Sequence, residues 1–184
     1  LPIWYSPKEG DPISFHDYEL NRSYMSAFHL NDETIFDYVE YINKSKSKIL
    51  VSYPSTLYYF SVLCAKYDLK LKHINQLHGA SEVCLPQWRK KIKENLGLDI
   101  KMHYGQVEKV SFAHQDSIGS FYKENLLYGY NEVLDDGDLV STGFYNDVMP
   151  LIRYQTNDKL KLVKNPASSL TIEAMIYWLG NGPN

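Results

Sequence analysis

Apolar positions recur at helical spacing in three stretches of the chain. Ile35, Val39 and Ile42 share one face of a helix that Asn31 or Asp32 can cap. Lys44, Lys46 and Lys48 close it, where the helix dipole favours cations. Leu57, Phe60, Cys64 and Tyr67 mark a second helix, entered through the turn Pro54-Ser55-Thr56. Leu85, Trp88, Ile92 and Leu96 mark a third, stopped by Gly97. Between them, Ile49 to Tyr53 is short and rich in branched residues, the pattern of a buried strand. His73 to His78 reads as a less regular strand, and Asp99 to Tyr104 alternates, with Ile100, Met102 and Tyr104 on one side. Strands separated by helices of this length imply right-handed crossovers, hence an α/β unit with a parallel sheet and flanking helices.

After about residue 115 the texture changes. Tyr128 to Leu134 and Leu139 to Thr142 read as two strands around the turn Asp135-Asp136-Gly137-Asp138, and Met149 to Thr156 as a third. The expected organisation is an irregular, aromatic lead-in over 1–30, the α/β part over 31–115, and a smaller antiparallel, barrel-like β-rich subdomain over 116–164. A tail over 165–184 follows, with a helical patch from Leu170 to Leu179.

Charge and composition narrow the function. The 184 residues carry 19 basic and 22 acidic side chains, a formal charge of −3, which argues against a surface that holds a nucleic acid polymer by counterion release. An apolar fraction of 44% supports a real core and argues against disorder. The 16 tyrosines suit half-wet strand and helix faces. No apolar run is long enough for a membrane span, and the opening LPIWYSPKEG lacks the pattern of a signal peptide. Cys64 and Cys84, both in expected helices, read as free thiols of a reducing, cytoplasmic compartment. The sequons at Asn21 and Asn43 are then chance matches. A chain opening on Leu1 reads as a piece of a larger protein.

In open α/β sheets, ligands bind beyond the carboxyl ends of the strands. Those ends are Tyr53-Pro54-Ser55-Thr56, His78-Gly79-Ala80-Ser81-Glu82 and Tyr104-Gly105-Gln106-Val107-Glu108. A glycine lets backbone approach a flat ring, and a carboxylate can hold a metal ion or a ribose. The bland alternative is that Gly79 and Gly105 make tight turns while Glu82 and Glu108 cap helices or pair with lysines. Neither common phosphate cradle is present, and the six histidines lack ligand spacing. Gly79-Ala80-Ser81-Glu82-Val83 half matches a nucleophile elbow, with His103 or His114 as base, but Val83 crowds the turn. Ser81 fits better as a helix cap.

Taken together, HGASEVCLPQWRKKIKENLGLDIKMHYGQVEKV, LLYGYNEVLDDGDLVSTGFYNDVMPLIRY and QTND resemble the adenylate-forming ligase superfamily. The closest branch is the phenylacetate–CoA ligase-like group, especially the CapK-type proteins of capsular-polysaccharide clusters. The likeness runs from about Ser26 to Asp158, and YGQVE and TGFYNDVMPLIRYQTND are its most specific parts. It implies activation of a carboxylic acid with ATP and Mg²⁺ to an acyl-adenylate, followed by transfer to CoA or another acceptor, in capsular-polysaccharide synthesis. Residues 31–115 then form the adenine-binding half of a large domain. Tyr104 would stack on adenine and Glu108 would help hold Mg²⁺. Gly79, Ala80, Ser81 and Glu82 would line the nucleotide pocket beside Gly105 and Gln106. Asp158 would accept hydrogen bonds from both ribose hydroxyls. Related ligases often dimerise, and by that analogy alone the resemblance is compatible with a homodimer; the sequence itself does not fix the oligomeric state.

The departures are specific. Val107 stands where the family has a hydroxyl residue that touches phosphate, and Asn157 where it has glycine. The family's Ser/Thr/Gly-rich phosphate loop, its hinge motif and its C-terminal domain with a catalytic lysine have no counterpart in these residues. The alternative reading is a degenerate nucleotide-binding or protein-interaction module of the same fold.

Overall fold

The computed structural model describes residues 12–115, 122–163 and 171–173. The chain divides into two compact units, one of Leu1–Leu77 and Leu85–Asp99, the other of His78–Cys84 and Ile100–Asn184.

The first unit opens with an antiparallel hairpin, β1 (Ser14–Asp17) and β2 (Arg22–Met25), where an irregular lead-in was expected. Phe15 stacks on Tyr24 across the pair, with ring centroids 4.9 Å apart. Asp17 accepts the amides of Glu19 and Leu20, and Asn21 takes the left-handed conformation that closes the turn. The aromatic residues that make this stretch look irregular are its cross-strand contacts.

The helices follow the periodicity. α1 (Ile35–Ser45) buries Ile35, Tyr38, Val39 and Ile42. Asn31 accepts the amides of Glu33 and Thr34, so it caps the turn leading into α1, whereas Asp32 pairs with Lys66 and Tyr67. α2 (Pro54–Lys66) begins with its proline in the first turn, where a missing N–H costs nothing, and buries Leu57, Phe60 and Cys64. Tyr67 lies just past its end and donates to Asp32. α3 (Pro86–Leu96) buries Ile92 and ends at Gly97, whose φ of 71° is the left-handed cap that glycine accepts freely. Tyr58 of α2 stacks against Trp88 of α3 at 6.0 Å.

β3 (Ile49–Ser52) lies beside β4 (Gln76–Gly79), and the amides of Asn75 and Gln76 both donate to the Lys48 carbonyl. The expectation of a buried strand fails here. Ile49 and Val51 are 50% and 60% exposed, because β3 is an edge strand with one face uncovered. Cys64 is buried, which pushes its thiol up to about 12, while Cys84 precedes α3 and is not helical as expected.

The second unit holds β5 (Ile100–Gly105), β6 (Phe112–Gln115), β7 (Tyr122–Glu124), β11 (Lys161–Val163) and β12 (Thr171–Glu173) in the order β11-β12-β7-β6-β5, with β4 next to β5. Neighbours from β5 to β11 are antiparallel. Thr171–Glu173 is thus strand where a helical patch was expected, as β-branched Thr171 and Ile172 favour. The rest of that patch lies outside the described residues. A separate antiparallel sheet has the order β10-β9-β8, from β8 (Gly129–Val133), β9 (Asp138–Gly143) and β10 (Tyr154–Lys159). The architecture is mixed α/β with an antiparallel β-rich part, as expected. The β8–β9 hairpin closes around the expected acidic turn, with Val133 opposite Leu139.

β10 starts five residues later than the sequence suggests. Pro150 supplies no amide to a ladder, and Asn146 accepts the amide of Met149 in a turn. Tyr104, Ala113, Leu139 and Leu160 form a buried cluster, with Tyr122 and Val133 against it.

Glu124 is buried beside this core. It accepts a hydrogen bond from Asn131 Nδ2 at 2.5 Å, and Asn131 Oδ1 accepts from Ser141 at 2.6 Å. Burial nevertheless pushes the Glu124 carboxyl above its ordinary value, outweighing the Asn131 bond. The folded chain therefore holds this proton more tightly than the unfolded one. The associated stability is present below the ordinary carboxylate pKa and is lost as pH rises through the folded value. Thermal melts between about pH 4 and 7 should show this fall in the wild type and a flatter profile in Glu124→Gln. Parallel profiles would show that Glu124 titrates as it does in the unfolded chain.

Candidate functional site

The expected site residues all lie in the second unit. Alternation along β5 turns Tyr104 inward, while Gln106 and Glu108 follow in the loop after the strand. Asp158 comes from β10, whose pairing with β9 shifts register between Gln155 and Lys159. Such a bulge re-aims side chains. Here it coincides with Asn157 at a φ of 64°. That conformation is easy for glycine and is tolerated by asparagine better than by most residues, so the departure at Asn157 preserves the backbone path.

Three side chains meet as a result. The Tyr104 hydroxyl donates to Asp158 Oδ2 at 2.5 Å, and Gln106 Nε2 donates to the same oxygen at 2.9 Å and to the Tyr104 oxygen at 2.8 Å. Burial, and then the Asp158 carboxylate, push the Tyr104 phenol well above its ordinary value, so it stays a donor. Both bonds fall on Oδ2, which leaves Oδ1 to accept from a ligand. Gln106 Oε1 is buried without a partner. An acceptor in that condition is costly unless something donates to it.

The Tyr104 ring is only 6% exposed and packs in the core cluster. The structure therefore offers no open face for an adenine to stack on, and Tyr104 instead fixes Asp158 through its hydroxyl. No local pattern distinguishes the two roles, because an inward and an outward Tyr104 have the same neighbours in the chain.

Glu108 is half-buried and accepts from the Tyr154 hydroxyl at 3.2 Å. The Glu108 charge raises the Tyr154 phenol, ahead of the hydrogen bond itself. Tyr154 lies within the stretch that carries the resemblance but is not among the expected site residues. Asn146 Nδ2 donates to the Glu108 carbonyl at 3.1 Å, which ties the loop to the segment before β10. Among the described residues no group of three or more His, Cys, Asp or Glu side chains is placed to hold a metal ion. One carboxylate does suit Mg²⁺, which keeps most of its waters and takes phosphate oxygens from a substrate.

The turn after β4 behaves differently from expectation. A side chain at Gly79 would place its Cβ 2.5 Å from Met102 Sδ and 2.7 Å from Ile100 Cδ1, so this glycine makes room for β5. Ala80 and Glu82 are half-buried. Ser81 is exposed with a φ of 66° and lies well before α3, so it does not cap that helix. Gly105 is exposed beside Phe112, and Val107 points its side chain into solvent at 85% exposure.

Three of the scattered histidines come together. His78 on β4, His103 on β5 and His114 on β6 line a cavity of about 350 Å³ with Lys101 and Phe112, and Met102 and Gln115 complete its lining. His103 and His114 are directly opposed in the antiparallel register. Burial, and then the charge of Lys101, hold the His78 imidazole below its ordinary value, and burial, then His78, do the same to His103.

The fold is that of the adenylate-forming ligases. The chain resembles the open conformation of 2-hydroxyisobutyryl-CoA ligase with 2-HIB-AMP and CoA, with a TM-score of 0.61 and 16% identity, covering 71% of this chain and 35% of that one. It also resembles the anthranilate CoA ligase AuaEII in complex with anthranoyl-AMP, at TM-score 0.57 and 15% identity, covering 79% and 33%. MbtA of Mycobacterium smegmatis gives 0.58 and 10%, covering 78% and 31%. In sequence, the protein CapK of Staphylococcus aureus is 24% identical over 149 residues, 78% of this chain and 33% of CapK. The chain thus spans about a third of the length of these relatives. No protein-family model matches it. Among the described residues no helix is long and apolar enough to cross a membrane.

Proposed function

We propose that this chain supplies the nucleoside-holding part of a ligase that activates a carboxylic acid with ATP. The carboxylate oxygen attacks the α-phosphorus, pyrophosphate leaves with the bonding electrons, and the acyl-adenylate then passes its acyl group to CoA or another acceptor as AMP departs. A role in capsular-polysaccharide synthesis is the finer form of this proposal and rests on the likeness to CapK.

The observation that carries it is the Tyr104–Gln106–Asp158 cluster. Two donors hold one oxygen of Asp158, so the carboxylate is fixed before a ligand arrives. Oδ1 then has two lone pairs for the vicinal hydroxyls of a ribose. Gln106 Oε1 is an acceptor awaiting a donor, which the exocyclic amine of adenine can be. Fixing these groups in advance reduces the ordering cost of binding. Gly79, Ala80, Ser81, Glu82 and Gly105 are proposed to border the nucleotide.

Mg²⁺, when bound with ATP, offsets phosphate charge and so favours attack by an anionic nucleophile. Glu108 is its proposed protein ligand, and Tyr154 orients Glu108 through the 3.2 Å hydrogen bond. MgATP should therefore bind more tightly than metal-free ATP, and Glu108→Ala should remove most of that difference while AMP binding persists. Calorimetric titrations of the two ATP forms check this. An unchanged Mg²⁺ increment in Glu108→Ala would remove Glu108 from the metal site.

A further inference from the structure

The loop that carries Glu108 is a tight turn with a strained exit. The Lys109 amide donates to the Gln106 carbonyl at 3.1 Å, which closes the turn, and Lys109 then takes a φ of 57°. A left-handed backbone is unfavourable for lysine, so its surroundings must hold it there. Part of that hold comes from β8 and β9. The Lys109 carbonyl oxygen lies 2.6 Å from the Cβ position of Gly143, and that of Val110 lies 2.2 Å from the Cβ position of Gly129.

One peptide group of the turn is gripped from both sides. Its N–H belongs to Lys109 and bonds to Gln106, while its C=O belongs to Glu108 and accepts from Asn146 Nδ2 at 3.1 Å. Asn146 Oδ1 accepts the Met149 amide at 3.1 Å, so one side chain joins the Glu108 loop to a turn between β9 and β10. Apolar burial does little to hold that turn, because Tyr145 and Met149 are more than half exposed and Val148 is 98% exposed. The Glu108 carboxylate accepts from Tyr154 through Oε1. Glu108 is thus fixed at its backbone by Asn146 and at its side chain by Tyr154, which leaves Oε2 to a ligand.

We propose that Asn146 is a positioning residue for the Mg²⁺ that accompanies ATP. It acts through Glu108, by fixing the peptide that follows it and so the direction in which the carboxylate points. This deepens the ligase reading and rests on Glu108 as the protein ligand of the metal. Mg²⁺ requires near-ideal octahedral placement of its oxygens, so a single carboxylate serves only if its backbone is held. Without the Asn146 bond, the peptide between Glu108 and Lys109 is free to turn and relieve the left-handed lysine, carrying the carboxylate with it.

The test is calorimetry on the intact chain, read as the ratio of affinities for MgATP and for ATP in EDTA. Asn146→Ser separates positioning from turn structure. A serine hydroxyl still accepts an amide in such a turn, but its side chain is one bond too short to reach the Glu108 carbonyl as well. The ratio should fall about fivefold, the value of one hydrogen bond, while AMP affinity stays within about twofold and the thermal melt is unchanged. In a Glu108→Ala background the same substitution should leave the ratio where it is, since nothing remains to be positioned. A wild-type ratio in Asn146→Ser would overturn the proposal, as would a further fall in the double variant. Equal weakening of AMP and both ATP forms would also overturn it, by showing that Asn146 acts only on the fold. If Glu108→Ala abolishes the Mg²⁺ preference and Asn146→Ser keeps it, the assignment of Asn146 fails and that of Glu108 stands. If the wild type binds AMP with no preference for MgATP, the metal reading of Glu108 fails and takes this proposal with it, while the nucleotide site stands.

Discussion

Gly129→Ala should lower the melting temperature by about 6–12 °C, from a cost of about 3 kcal/mol and the usual response of a chain of this size. A Cβ at Gly129 would lie 2.2 Å from the Val110 carbonyl oxygen and 2.9 Å from that of Thr142. Both are backbone atoms, so no rotamer change relieves them. Gly143, its partner across the β8–β9 pair, is crowded too, though less, with Lys109 O at 2.6 Å. The two glycines clear a seat for Lys109 and Val110, the segment that follows Glu108. Gly97→Ala provides the contrast. Nothing lies within 4 Å of its Cβ position, so only the left-handed backbone is strained, at about 1–2 kcal/mol. Circular-dichroism melts of both variants check this, and a Gly129→Ala melt indistinguishable from wild type would mean that β8 is not so closely approached.

Asp158→Ala should weaken AMP binding by more than about tenfold, because charge-assisted hydrogen bonds are worth about 1.5–3 kcal/mol. The same substitution leaves the buried Tyr104 hydroxyl without its acceptor, so stability falls as well. Tyr104→Phe separates the two effects. It removes the hydroxyl and keeps the carboxylate, so AMP affinity should move by no more than about threefold. Equal losses of AMP binding in both variants would show that the cluster acts only by holding the fold. Calorimetry on chains shown to be folded by their melts distinguishes these outcomes.

The helices were legible because apolar residues every three or four positions make one continuous stripe only on a helix: Ile35, Val39, Ile42, Leu57, Phe60 and Ile92 are all buried. Burial of strands was less so. Ile49 and Val51 have the apolarity of a central strand, and nothing local distinguishes that from an edge. β6 and β7 are too short, at four and three residues, for alternation to stand out. The Asp158 cluster was half legible. Asp158 and Tyr104 were picked out by the motifs around them, but their hydrogen bond spans 54 positions and depends on a bulge no local pattern announces. The histidine face was not legible, because His78, His103 and His114 have no common spacing: the antiparallel register opposes His103 to His114, and the position of β4 next to β5 adds His78. A signal existed in Lys101-x-His103 and Phe112-x-His114, each alternating with buried positions.

Titration of AMP into the purified wild-type chain by calorimetry tests the central claim most directly. Saturable heat at one site per chain is the predicted result, with the Tyr104–Gln106–Asp158 cluster as its seat. No heat from a chain whose cooperative melt shows it to be folded would contradict the claim, and the likeness to the adenylate-forming ligases would then be one of fold alone.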